Sequence, residues 1–361
     1  MKCLWPSRVE RIIGVLVVDY RSSGVDIDEA NQAVRRIRDI AQKTFNASVL
    51  SDIGSFGGLF QPDLGDFEKP VLVASADGVG TKLKVAFLAN RHNTVGIDLV
   101  NHCVNDVLVQ GARPLFFLDY LATGRLRSEV STSIVEGIAQ GCSENSCALL
   151  GGETAEMPGF YADGEYDLAG FVVGLVDRKK LIDGRTILPG DVLLGLPSSG
   201  LHTNGFSLAR KIVFDILKFD IHTLVESLGS SVGDAFLCPH KSYLKPVTRL
   251  IDSTDQIVKG IAHITGGGLT ENLPRILPIG MNAHVQRDKW VVPEVFRFLQ
   301  IEGSVPVDDM YRTFNMGIGM VLVVPSKSVE DVCQSLVAAG ESGVRVIGEI
   351  VEGDQRVVYD S

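Results

Sequence analysis

The 361-residue chain has no GxxxxGK[ST] match, no CxxC pair, no short repeat and no apolar run of membrane length. Lacking the first, it is not a Walker-type phosphate binder. Its six cysteines, Cys3, Cys103, Cys142, Cys147, Cys238 and Cys333, are scattered. That excludes a zinc ribbon or a thioredoxin motif and reads as buried thiols in a reducing, cytoplasmic setting. Basic charge is also scarce: 34 Lys and Arg stand against 44 Asp and Glu, a formal net charge of -10. A nucleic-acid binder needs a basic face, so that class is set aside, while a local basic pocket for a small phosphorylated ligand stays open. The apolar run at 12–18 follows Lys2, Arg8 and Arg11 and is ended by Asp19. It is far short of the roughly 20 residues of a membrane span, and no small-residue cleavage site follows it. Residues 1–19 are read as an N-terminal arm, either without regular structure or adding an edge strand.

What is present is an ordinary globular balance, 45% hydrophobic and 22% charged, in a length that suits two domains. Apolar residues at helical spacing predict an amphipathic helix from Asp28 to Phe45. "PVLVASA" (70–76) predicts a strand and "TKLKVAFLANR" (81–91) a helix. A second helix follows over 94–112, a strand over 114–123, and a third helix over 128–142. "CALLGGETAEMPGFY" starts as a strand and breaks into a Gly/Pro loop, and 166–177 is another strand. Charge and turn residues replace apolar ones at 177–191, which places a boundary there. The expected division is 20–178 and 179–361. Strands alternate with helices on both sides, so each half is an α/β or α+β layer.

Chemistry-bearing residues cluster at glycines. In "DGVGTK", Gly78 and Gly80 allow a tight turn that brings backbone N–H groups against an anion, and Lys82 offers a point charge. Asp77 repels phosphate unless Mg²⁺ sits between, so acid and cradle together suggest a metal–nucleotide site. A strand–turn–helix corner with a solvated lysine is the alternative. Asn105 and Asp106 interrupt an otherwise apolar helix, where a carboxylate is costly unless paired, metal-bound or turned to solvent. Glu153 and Glu156 follow Gly151 and Gly152 after a buried-looking strand, a usual place for ligands in α/β proteins. In the second half, Ser198, Ser199, Gly200, Thr203 and Gly205 can form an anion nest at a helix start, with His202 and Asn204 inside it. His263 and Thr265 precede Gly266, Gly267 and Gly268 in a similar loop. Either histidine alone is more often structural; two beside anion loops suggest a phosphorylated substrate.

In this order the motifs "DGVGTK", "VNDVLVQGA", "GGETAEMPG", "SSGLHTNG", "AHITGGG" and "MYRTFNMGIGM" resemble those of the phosphoribosylformylglycinamidine cyclo-ligase family. The likeness runs from about Tyr20 to Tyr359. It implies two α/β domains, with N-terminal sheets paired across a homodimer into a barrel-like core. It implies ATP-dependent closure of the imidazole ring of aminoimidazole ribonucleotide from formylglycinamidine ribonucleotide, through an iminophosphate. Carried onto this chain, Asp77, Asp106 and Glu153 look like the Mg²⁺ group. Gly78, Gly80, Thr81 and Lys82, with Gly151 and Gly152, look like ATP contacts. The loops of Ser199, Gly200, Thr203 and Asn204, and of Thr265 to Gly268, look like substrate contacts. His202 is the first choice for proton handling and His263 the second. Selenophosphate synthetase, a relative, needs a reactive cysteine in its N-terminal glycine loop; "SDIGSFGGLF" has none. A non-catalytic scaffold would have lost acids or loops that are intact here.

Overall fold

The computed structural model describes residues 27–254 and 256–360. The N-terminal arm and Cys3 lie outside the described residues. Helix α1 (Ile27–Gln42) tucks Ala33 and Ala41 inward. After the 51–66 loop come β1 (Pro70–Gly78), α2 (Leu83–Ala89), α3 (Asn93–Leu108), β2 (Arg113–Thr123), α4 (Ser128–Glu144), β3 (Ala148–Glu156) and β4 (Tyr166–Asp177). The four strands form one sheet in the order β1-β4-β2-β3. All pairings but the parallel β2–β3 are antiparallel. Helix α3 is buried nearly all round, and the polar side chains it carries inside, Asp98, Asn101, His102 and Asn105, are all paired. Its Leu99, Cys103, Val104 and Val107 join Val73, Phe117 and Val172 of the sheet's inner face in the core.

The second half holds β5 (Asp191–Pro197), α5 (Phe206–Arg210), β6 (Leu224–Val225), β7 (Ser230–Ser231), α6 (Val232–Phe236), α7 (Leu244–Ser253), β8 (Gly260–His263) and α8 (Gly268–Asn272). It continues with β9 (Met281–Val285), α9 (Glu294–Gly303), α10 (Val307–Thr313), β10 (Ile318–Pro325), α11 (Val329–Ala338), β11 (Arg345–Glu352) and β12 (Val357–Tyr359). Six of its strands make a mixed sheet in the order β12-β9-β11-β5-β10-β8. Strand β10, "IGMVLVVP", lies at 0–2% exposure from Ile318 to Val324 because β5 and β8 flank it and helices cover it. The architecture is α/β. No helix among the described residues is long and apolar enough to cross a membrane.

Three local expectations change. Strand β1 continues through Asp77 and Gly78, which pair with Gly170 and Ala169, so the acid sits in a strand end rather than a turn. Strand β3 runs on to Glu156, so Gly151, Gly152 and Glu153 are strand residues and not a loop. Ladder bonds to β2 hold the glycines extended there. The helix expected after "TNG" is a five-residue piece that widens into a π-type turn at Lys211–Ile216. Of the described cysteines, Cys103, Cys142 and Cys147 are buried and Cys238 and Cys333 partly so; all are free thiols.

Candidate active site

The two halves meet along α3. Lys82 is fully buried there, and its ammonium has three partners: the Asp98 carboxylate at 2.7 Å and the carbonyls of His202 (3.0 Å) and Cys238 (2.9 Å). An ammonium has three protons, so none is left for a phosphate. The expected phosphate contact is instead a strut that ties the first half to two loops of the second. Asp98 completes the joint by accepting the His240 N–H at 2.7 Å.

Beside the joint lies a cleft of ≈ 580 Å³ that draws on both halves. The first half contributes Ser75, Asp77, His102 and Asp106; the second contributes His263, Thr265, Asn272 and Arg275. Each carboxylate is held by an imidazole. His102 Nε2 lies 2.8 Å from Asp77 Oδ2, and His263 Nδ1 lies 2.8 Å from Asp106 Oδ1. Asp77 Oδ1 accepts from the Gly78 N–H, and Asp106 Oδ2 from the Ser75 hydroxyl. Burial alone would raise both carboxyls. The imidazole bonds and charges outweigh it, and both stay below the usual carboxylate range. Asp77 and Asp106 are therefore ionised at neutral pH, facing one space.

The imidazoles are connected behind the cleft. His102 Nδ1 is 2.8 Å from Thr203 Oγ1, which is 3.3 Å from His240 Nδ1; His240 Nε2 is 3.0 Å from His263 Nε2. A continuous buried path thus runs from Asp77 to Asp106. Burial opposes charge on His102, but Asp77 and neighbouring carboxylates win and its pKa rises. At His240, burial and surrounding positive charge push the pKa well down; at His263, burial dominates over Asp106 and lowers it.

His202, the first choice for proton handling, is not at the cleft. It is 1% exposed, stacks on His240 with ring centroids 4.0 Å apart, and accepts the Ser199 N–H at 3.1 Å. Burial holds its pKa well below the usual value. Of the pair, His263 borders the cleft and His202 packs behind it.

Glu153 is not brought to Asp77 and Asp106. Across the sheet, Asp77, Gly170, Asp119 and Gly152 form one row, while Glu153 opposes Tyr120 one residue further on. Successive strand residues point to opposite faces, so Glu153 leaves on the other side. It borders a second cavity of ≈ 650 Å³ under the 52–58 loop, with Asp119, Gly151 and Gly152. A Cβ on Gly152 would collide with the Asp119 carboxylate. Burial raises that carboxyl to about 7. Glu156 accepts the Leu126 N–H at 2.7 Å.

The remaining candidates divide. Gly78 ends β1; Gly80 and the exposed Thr81 turn beside α5, where Thr81 Oγ1 meets Ser207 Oγ at 3.2 Å. Ser199 donates to the Pro239 carbonyl, and Gly200 accepts from Asn315. Thr203 is buried in the imidazole path, and Asn204 Nδ2 points back to it at 3.4 Å. Asn272 pins the second loop by donating to the carbonyls of Gly266 and Gly268, and Gly267 enters α8 with φ 93°. Only Thr265 of that loop lines the cleft. Sequence reasoning missed His102, His240 and Arg275. The i,i+4 spacing of His102 and Asp106 on α3 was the one available signal.

Both halves of this α/β protein match one superfamily. Residues 64–176 match the model described as AIR synthase related protein, N-terminal domain, and residues 189–361 its C-terminal domain. The phosphoribosylformylglycinamidine cyclo-ligase of Geobacter metallireducens is 55% identical over 340 residues, covering 94% of this chain and 97% of its own. That of Alkaliphilus metalliredigens is 52% identical over 339 residues, covering 94% and 97%. The chain belongs to the phosphoribosylformylglycinamidine cyclo-ligase family. Its fold is shared more distantly by thiamine-monophosphate kinase from Stenotrophomonas maltophilia (TM-score 0.66, 19% identity, 91% of this chain and 96% of that one). The hydrogenase maturation protein HypE, solved in complex with ATP, is similar at TM-score 0.63, 18% identity and 90% coverage of both chains.

Proposed function

We propose that the cleft between the two halves is where ATP drives ring closure. As a family member the protein is an ATP-dependent ligase. It converts formylglycinamidine ribonucleotide to aminoimidazole ribonucleotide with release of ADP and phosphate, in purine biosynthesis. The observation that carries the assignment of the cleft is the convergence of two ionised carboxylates from the first half on Thr265 and Arg275 of the second.

The chemical obstacle is a formamide oxygen that is a poor leaving group. Transfer of the γ-phosphoryl group to that oxygen gives an iminophosphate; the neighbouring nitrogen then attacks the carbon, and phosphate departs with the C–O bond. Positioning and charge neutralisation are the protein's share. Asp77 and Asp106 suit Mg²⁺, which takes a few carboxylates together with phosphate oxygens and water. Bound there with ATP, the ion would screen phosphate charge. His102 and His263 fix the carboxylates in place. Arg275, exposed at the cleft, supplies the cation that Lys82 does not. His263 is better placed than His202 to handle the proton lost by the attacking nitrogen.

A homodimer is part of this reading. On the outer face of the four-stranded sheet, Ala74, Ala76 and Gly78 adjoin Val173, Phe171 and Ala169, these adjoin Phe116, Leu118 and Tyr120, and Leu72 extends the same face of β1. Leu72 is 66% and Phe171 45% exposed, a continuous apolar face that a second copy would cover. The scattered free thiols support a cytoplasmic setting.

The test is turnover of formylglycinamidine ribonucleotide with ATP and Mg²⁺, followed in wild type, Asp106→Asn, His263→Ala and His202→Ala. The first two variants should lose roughly 10²–10⁴-fold in kcat. His202→Ala should lose stability while keeping most of its kcat. Near-normal turnover in Asp106→Asn would remove the cleft from the chemistry.

A further inference from the structure

His102 and Asp106 stand one helical turn apart on α3, and His263 reaches them from the end of β8. One donor atom from each lies within 4.8 Å of the others. We propose that His102, Asp106 and His263 form a site for a first-row transition dication such as Zn²⁺ or Co²⁺ at the cleft floor. The proposal rests on the reading of the cleft as the magnesium–ATP site and adds imidazole ligands to it.

The geometry supports this in three ways. Each imidazole already directs one nitrogen at a carboxylate oxygen, 2.8 Å away in both cases, and a dication would replace those two protons. Each ring is also held from behind through its other nitrogen, His102 by Thr203 and His263 by His240. Metal-binding imidazoles need such an outer partner to fix ring and tautomer. Donors of a tetrahedral site with bonds of about 2.0 Å are roughly 3.3 Å apart, so the donor atoms need close by at most about 1.5 Å. Asp77, bonded to His102, lies beside the group, and the cleft leaves room for water.

The donor set discriminates between metals. Mg²⁺ wants hard oxygen ligands in an octahedron, whereas two imidazoles and a carboxylate suit Zn²⁺ and Co²⁺. Asp106 belongs to both sets. A transition ion should therefore compete with Mg²⁺ and inhibit turnover. The buried trio of His202, His240 and His263 also brings its donor atoms together, but the first two rings are stacked face to face, which points their nitrogens past a shared ion.

Co²⁺ is the probe. Added to chelator-treated full-length protein, it should give visible ligand-field absorption saturating near one ion per chain. Zn²⁺ should abolish that signal at stoichiometric amounts, and Mg²⁺ only in large excess. His102→Ala and His263→Ala should each weaken Co²⁺ by at least about tenfold, and Thr203→Val by about 10–100-fold. The exposed His222→Ala should bind as wild type. Absence of the signal in wild type, which needs no variant to fold, overturns the proposal, as does an unchanged signal in both histidine variants. If Asp106→Asn abolishes Mg²⁺-dependent turnover while wild type gives no Co²⁺ signal, this inference fails and the magnesium reading stands. If the signal is present and Asp106→Asn turns over normally, the transition-metal site stands and the magnesium reading fails.

Discussion

Lys82 and Asp98 are both at 0% exposure, and what surrounds them decides what they do. Two charges out of water are costly, and their attraction offsets that cost only when every remaining proton and lone pair is used. Here the ammonium is saturated by one carboxylate and two carbonyls. Lys82→Met should destabilise the protein by about 3–5 kcal/mol, because Asp98 is left buried with an uncompensated charge. Adding Asp98→Asn should restore part of this, since the amide oxygen can still accept the His240 N–H. Urea denaturation of the three proteins measures it. A Lys82→Met variant that is fully stable but no longer binds ATP would return the lysine to the phosphate site.

At the scale of elements, the loop that carries Thr265 to the cleft before α8 is set by backbone conformation. Gly268 has φ 58°, the left-handed region, and a Cβ there would collide with the carbonyls of Tyr311 and Phe314 at the end of α10. Asn272 then holds the loop from the helix side. Gly268→Ala should cost more than about 1 kcal/mol, from both the left-handed backbone and the contact. It should also raise KM for the ribonucleotide more than it lowers kcat, since Thr265 is carried on the same loop. Thermal denaturation and steady-state kinetics on one preparation check both effects; an unchanged midpoint would mean the loop yields freely.

For the whole molecule, the apolar outer face of the N-terminal sheet is the feature that a lone chain does not use. Phe171→Glu places a charge at its centre and should convert a dimer into a monomer without unfolding the chain, because the side chain is already exposed. Sedimentation equilibrium of wild type and variant at micromolar concentration reads this directly. A wild type that is monomeric and fully active would remove the dimer from the account.

The sequence by itself determined the elements and the family. Apolar periodicity marked α1, because burial of one helix face imposes a 3.6-residue rhythm whatever lies opposite. The ordered motifs marked the family, and Asp77, Asp106 and His263 were nominated from local chemistry and meet at one cleft. Tertiary structure alone decided the rest, since those outcomes depend on distant partners. Lys82 finds carbonyls 120 and 156 residues away, which no local pattern announces. Glu153 is sent to the opposite face by strand register, a one-residue matter that the pleat turns into a change of side. His202 and His263 sit in similar glycine-rich loops, yet one is stacked behind the joint and the other borders the cleft. His102 and His240 acquire their roles only because α3 docks against the second half and brings two imidazoles and a threonine into a single buried path.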